Sequence, residues 1–212
     1  MVMTVDRPIF EPLAGRDDEF RGPAGVVRLL EIPPHRVVMI DGSGPPGPEA
    51  FAPRMPGLYT TAYKLRFGLK AREVLGKVRP LEGLWWTADG STDLDAIFGG
   101  GNGRDDWRWT LFIALPEEAT DAEIADAVEA GRAKLEPPFA ANLRVETFDE
   151  GRVAQLLHVG PYATERASIE RLHEAVTAAG LRFRGPHHEI YLGDPRTSAP
   201  DRLRTIIRHA VD

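Results

Sequence analysis

The chain has 212 residues, 42% hydrophobic and 27% charged, a globular balance long enough to bury a core without covalent staples. It contains no cysteine, which excludes disulfides, zinc–thiolate centres and thiol catalysis and points to a reducing cytoplasm. The net charge of −6 speaks against direct binding of nucleic acid, no apolar run approaches a membrane span, and MVMTVDRPIFEPL lacks the basic-then-apolar order of a secretory leader.

Residues 1–25, rich in Pro, Gly and charge, read as a partly ordered arm. VVRLLEI (26–32) and RVVMID (36–41) read as strands, and GSGPPGP (42–48) breaks the chain. Phe51, Met55, Leu58, Tyr59, Ala62, Leu65 and Phe67 recur at helical spacing, and Pro53 and Pro56 confine the firm helix to a start near Gly57. EVLGKVRPLEGLWWT reads as strand interrupted at Gly76 and Pro80, and 88–106 as a Gly-rich loop that could serve as a lid. WRWTLFIALP (107–116) alternates as a strand. Thr120, with Glu123 three residues on, opens a capped helix. RVETFDEG and RVAQLLHVG form two strands about the turn Asp149-Glu150-Gly151. A helix follows GPY, with Ile169, Leu172 and Val176 inward and Gly180 as its stop, then the strands HHEIYLGDP and 202–211.

The two halves repeat. VVMIDGSGP matches VAQLLHVGP, PLEGLWW matches HHEIYLG, and WRWTLFI matches RLRTIIR, so Glu82 pairs with Glu189. The predicted architecture is α+β, an arm over 1–25 and one domain over 26–212 built as a pseudo-twofold duplication of strand-helix-strand-strand units (about 26–116 and 117–212). A central ligand cleft is expected where such repeats meet.

Gly42-Ser43-Gly44-Pro45-Pro46-Gly47 spells a dinucleotide fingerprint, but Pro45 and Pro46 have no N–H to offer a phosphate. The six histidines show no ligand spacing, and His187 and His188 point to opposite faces of one strand, so neither metal nor cofactor is expected. His158 is expected to hydrogen-bond within its strand–turn junction. By alternation His187, Glu189 and Tyr191 share one face. His188, Ile190 and Leu192 share the other, whose apolar character suits packing under a helix, leaving the first set to the cleft. Glu82, Leu84 and Trp86 share a face likewise, with Trp85 opposite. Carboxylates beside Trp and Tyr suit a general base or an anion that selects cationic or planar ligands. Trp86, Trp107 and Trp109 are pocket candidates, with Tyr59, Tyr63 and Phe67 of the helix, whereas Trp85 is balanced between core and pocket.

The strings GLYTTAYKLRF, VRPLEGLWW, HVGPYATE and HHEIYLGDPRTSAPDRLRTIIR resemble the GyrI-like small-molecule-binding family, in its stand-alone branch, from Val26 to the C-terminus. Thr197 stands where that family often has a second basic residue after DPR. The resemblance implies two strand-helix-strand-strand repeats around a cleft for hydrophobic, planar or cationic compounds, with Glu189 at the recurring central Glu. It also implies, for some members, hydrolysis of spirocyclopropane DNA-alkylating compounds, a detoxification. In that chemistry Glu189 orients or deprotonates water, Tyr191 or Tyr162 hydrogen-bonds the developing phenolate, and Trp85 and Trp86 sandwich the flat body. Glu82, Tyr59, Tyr63, Tyr162, Trp109 and His187 complete the expected ligand-binding set. A non-catalytic drug-sequestering or ligand-sensing protein and an inhibitor of a DNA enzyme are the alternatives, and monomer and dimer are both open.

Overall fold

The computed structural model describes residues 8–15, 17–45, 47–89 and 106–212. In chain order the elements are β1 (Glu11–Pro12), β2 (Arg28–Ile32), β3 (His35–Ser43), α1 (Pro48–Phe51), α2 (Met55–Ala71), β4 (Leu81–Thr87), β5 (Trp107–Ala114), α3 (Asp121–Arg132), α4 (Pro137–Asn142), β6 (Arg144–Phe148), β7 (Gly151–Val159), α5 (Glu165–Ala178), β8 (Phe183–Tyr191) and β9 (Arg204–Val211). The fold is mixed α+β. The chain forms two compact units, Pro34–Asp149 and the discontinuous pair Met1–Pro33 with Glu150–Asp212. This division differs from the repeat boundaries read from sequence.

In the Pro34–Asp149 unit the strand order is β4-β5-β3-β6, all antiparallel. Helix α2 starts at Met55 with Pro56 in its first turn, where a missing N–H costs nothing. The segment before β4 is strand only from Leu81, immediately after Pro80, which cannot donate to a ladder. Helix α3 begins at the predicted capping box: Thr120 Oγ1 accepts from the Glu123 N–H at 3.3 Å, and the Glu123 carboxylate accepts from the Thr120 N–H at 2.8 Å. Leu58, Ala62, Leu65 and Leu69 of α2 and Ile124, Ala127 and Val128 of α3 are buried, and α2 packs on α3, β3 and β5. The short α4, opened by Pro137, was not expected from the apolar periodicity because six residues carry too few apolar positions to show one.

The Gly42 string has a packing role. Gly42 lies opposite Trp109 in the β3–β5 ladder, and a Cβ there would fall 2.1 Å from the indole ring. The ring covers the missing side chain, and its Nε1 donates to the Gly44 carbonyl at 3.3 Å.

In the second unit the strand order is β1-β2-β7-β9-β8, with β1 parallel to β2 and the other pairings antiparallel. Helix α5 packs on β7 and β9. The helix ends before Gly180, whose φ of 70° is the left-handed stop the sequence predicts. The described part of residues 1–25 is not a loose arm. Gly25 N–H donates to the Leu157 carbonyl at 2.8 Å, Phe20 packs on Leu157, Ile190 and Ile206, and Leu13 packs on Leu30, Ile32 and Val153.

Both units thus contain a strand-helix-strand-strand order. Glu82 lies opposite Phe112, and Glu189 opposite Ile207. The loop predicted over 88–106 falls largely on residues 90–105, outside the described residues.

Candidate functional site

Strand β8 separates its residues as alternation requires. His187, Glu189 and Tyr191 lie on one face, continued across the ladder by Ile207 and Thr205 of β9. Helix α5 covers this face. Its Ser168 Oγ is 2.9 Å from His158 Nδ1, and its His173 ring is 5.3 Å from that of His209. This corrects the expectation that the helix covers His188, Ile190 and Leu192. Those residues lie on the arm side, with Ile190 and Leu192 beside Phe20. The helix chooses the polar face because it brings polar partners of its own.

On that face runs one hydrogen-bonded chain. His209 Nε2 and His187 Nδ1 are 2.9 Å apart, His187 Nε2 donates to Glu189 Oε1 at 3.2 Å, and Tyr191 Oη donates to Glu189 Oε2 at 2.7 Å. Burial pushes the Glu189 carboxyl up, but His187 and Tyr191 outweigh it and hold the group below its ordinary value. It is therefore an ionised carboxylate with both oxygens anchored. Burial, then the Glu189 charge, pushes the Tyr191 phenol well above its usual value. Burial and the neighbouring histidines drive His209 well below its usual value, so it is neutral.

A second carboxyl sits beside the first. Glu165, the first residue of α5, is 3% exposed. Burial and then the Glu189 charge raise it to about 8, against a smaller lowering by its hydrogen bond with Thr205. At neutral pH it is a carboxylic acid next to a carboxylate. Tyr162 precedes it in a 3-10 turn, 6.2 Å edge-to-face from the Tyr191 ring. Burial, then Glu165 and Glu189, raises its phenol to about 12.

The structure therefore brings together four of the predicted site residues: Glu189, Tyr191, His187 and Tyr162. His187 is fully buried and touches Glu189 rather than open space. His158 makes the predicted junction contacts, 3.4 Å from both the Pro161 carbonyl and Thr164 Oγ1.

The other predicted residues belong to the Pro34–Asp149 unit. Glu82 is buried on the β4 face shared with Leu84 and Trp86. Trp86 packs on Val37, Met39, Leu84 and Phe112. Trp85 lies on the opposite face, with Phe51, Trp107 and Trp109. Two rings on opposite faces of one strand cannot sandwich a flat body between them, so that expectation is corrected. Trp109 is fully buried. It packs edge-on to Phe51 at 5.1 Å, with the Arg54 guanidinium 4.8 Å over its ring. It is a core residue and not a pocket wall. The Trp85 indole is buried as well, and its N–H finds no acceptor among the described residues. Tyr59, Tyr63 and Phe67 form a ladder on α2, with centroids 6.3 and 6.0 Å apart, whose last two rings are exposed.

Two buried carboxyls escape the sequence reading. Glu165 reads as an ordinary acid in a first helical turn. Its spacing to Ile169, Leu172 and Val176 puts it on the inward stripe, and that was the available signal. Glu150 sits in the predicted turn, yet it is 5% exposed. It accepts from His188 Nδ1 at 2.9 Å and from the buried Arg208 at 3.3 Å. Arg208 also donates to Glu19 at 3.0 Å, tying the N-terminal segment to β9.

Among curated proteins, none matches the chain. The family model for the GyrI-like small molecule binding domain matches residues 110–210. An uncharacterized conserved protein from Listeria innocua is 30% identical in a structural alignment with a TM-score of 0.75, covering 92% of this chain and 97% of its own. Two structures of hydrolases from Listeria innocua are each 28% identical. One has a TM-score of 0.71 over 92% of this chain and 96% of its own. The other has 0.73 over 96% and 100%. With its α+β fold, its matched segment and a relative aligned over nearly its whole length, the chain belongs to the GyrI-like small-molecule-binding family.

Proposed function

We propose that this protein binds apolar, planar or cationic small molecules and hydrolyses spirocyclopropane DNA-alkylating compounds, a detoxification carried out in the cytoplasm. The observation that carries the reading is Glu189. It is buried and held ionised, its two oxygens fixed by His187 and Tyr191. Each oxygen keeps a lone pair for a water molecule. Water attacks the cyclopropane methylene carbon, the C–O bond forms, and the strained C–C bond breaks into the conjugated dienone, which becomes a phenolate. Glu189 orients the water and takes its proton as the bond forms. Tyr191 already donates to Glu189, so it is a positioning residue, and Tyr162 is the tyrosine that donates to the phenolate oxygen. The two hydrolase relatives support the reaction class.

The test is incubation with a spirocyclopropane alkylator, followed by Trp fluorescence and by mass spectrometry of the recovered compound. Quenching with a gain of one water above the protein-free control is expected, and Glu189→Gln should bind with little change yet lose about 10²–10⁴-fold in turnover. Quenching with the compound returned intact would instead mean a sequestering or ligand-sensing protein.

A further inference from the structure

Glu165 has no part in the reaction just described, yet its placement is costly if it does nothing. It sits on the helix face that carries Ile169, Leu172 and Val176 into the core. An acid at this position ordinarily points to solvent and complements the helix dipole. Here one oxygen meets Thr205, and the other, Oε1, has no hydrogen-bond partner among the described residues. A buried polar atom left unsatisfied calls for an explanation, and a catalytic role is one. The groups that face it are Glu189 and Tyr191 from β8, Thr205 from β9 and Tyr162 from the preceding turn. Behind Glu189 stand His187 and His209. Asp194 reaches Tyr162, and His158 of β7 is tied to Ser168 of the same helix.

We infer that Glu165 is a catalytic acid of this site, handing a proton to the substrate oxygen through Oε1 while Glu189 takes one from water; the inference rests on the hydrolase reading above. Activated cyclopropanes conjugated to a carbonyl open faster when that oxygen is protonated, because the ring electrons then flow toward a neutral phenol. The step balances. Water gives its oxygen to the methylene carbon and one proton to Glu189. The broken C–C bond supplies the pair that aromatises the ring, and Glu165 supplies the proton on the new phenol. Glu189 is left protonated and Glu165 ionised, and one proton passed between them restores both. Their environments push the two carboxyls in opposite directions, which separates an acid from a base within one buried cluster. Tyr162 then steadies the oxygen that Glu165 protonates.

The experiment is the pH dependence of turnover of a spirocyclopropane alkylator by the wild type and by Glu165→Gln, with Kd from Trp quenching. A second readout is ¹³C NMR of the glutamate carboxyls. Turnover by the wild type should fall as pH rises through about 8, where Glu165 loses its proton. The amide variant should keep its Kd, lose about 10²–10⁴-fold in kcat and lose that alkaline limb. One carboxyl resonance should titrate near 8 in the wild type and be missing in the variant. A variant with wild-type kcat and an unchanged alkaline limb would overturn the role of Glu165 and leave the hydrolase reading standing. A wild type that binds and never adds water would overturn both. A spectrum in which no carboxyl titrates above neutrality would overturn the acid assignment by itself.

Discussion

Replacing Glu150 by Gln removes the one carboxylate that holds both His188 and Arg208, at 2.9 and 3.3 Å. Glu150 is 5% exposed and Arg208 fully buried, so solvent cannot replace the lost charge. Burial alone would raise the Glu150 carboxyl, but His188 and Arg208 lower it from 4.5 to about 2. At 1.36 kcal/mol per unit this corresponds to about 3 kcal/mol of stability. Loss of one partner of a buried pair independently costs about 3–5 kcal/mol. The folded value is depressed, so the contribution is complete above about 4.5 and fades as pH falls toward about 2. Urea unfolding at pH 7 should show Glu150→Gln weaker by about 3 kcal/mol, and the difference should shrink steadily below pH 4.5. A loss under about 1 kcal/mol at pH 7, or a gap as wide at pH 3 as at pH 7, would refute the reasoning.

Tyr191→Phe deletes a donor 2.7 Å from Glu189. The carboxyl should then protonate at higher pH, moving the acid limb of any pH–rate profile upward, and stability should drop by about 1.5–3 kcal/mol. An acid limb that stays in place would show that His187 alone fixes Glu189. Gly42→Ala sets a Cβ about where the Trp109 ring now lies. Overpacking of this kind should cost about 1–3 kcal/mol. It should also shift the indole emission toward longer wavelength, and a variant with wild-type midpoint and spectrum would contradict the packing described for this glycine.

Much of the fold was legible because its signals are local. The capping box at Thr120, the left-handed stop at Gly180 and the alternation of 107–114 each need only a few neighbouring residues. Alternation also grouped His187, Glu189 and Tyr191 correctly. What it lacks is any knowledge of what covers a face. The polar face of β8 read as the open one. The helix covers it nonetheless, because Ser168 and His173 supply partners for His158 and His209. The same gap made Trp109 look like a pocket wall, since the helical spacing that includes Phe51 does not show that this ring, on a separate four-residue helix, packs edge-on to Trp109. Glu150 was hidden for a different reason. A charged residue in a turn is normally solvated, and it takes the side chains of His188 and Arg208, from the last two strands, to make its burial tolerable.

The pairing of β2 with β7 bears on how the chain is made. Leu30 lies opposite Val153, so the first strands wait at the ribosome until nearly the whole chain has been translated. At roughly 5–20 residues per second the wait is on the order of ten seconds. Throughout it Leu30 and Ile32, fully buried in the finished protein, have no sheet to join. The Pro34–Asp149 segment holds all of its own strands and can close first. Nascent-chain stalling should therefore leave the N-terminal strands protease-sensitive until β9 emerges, and chaperones that bind short apolar segments would find them there.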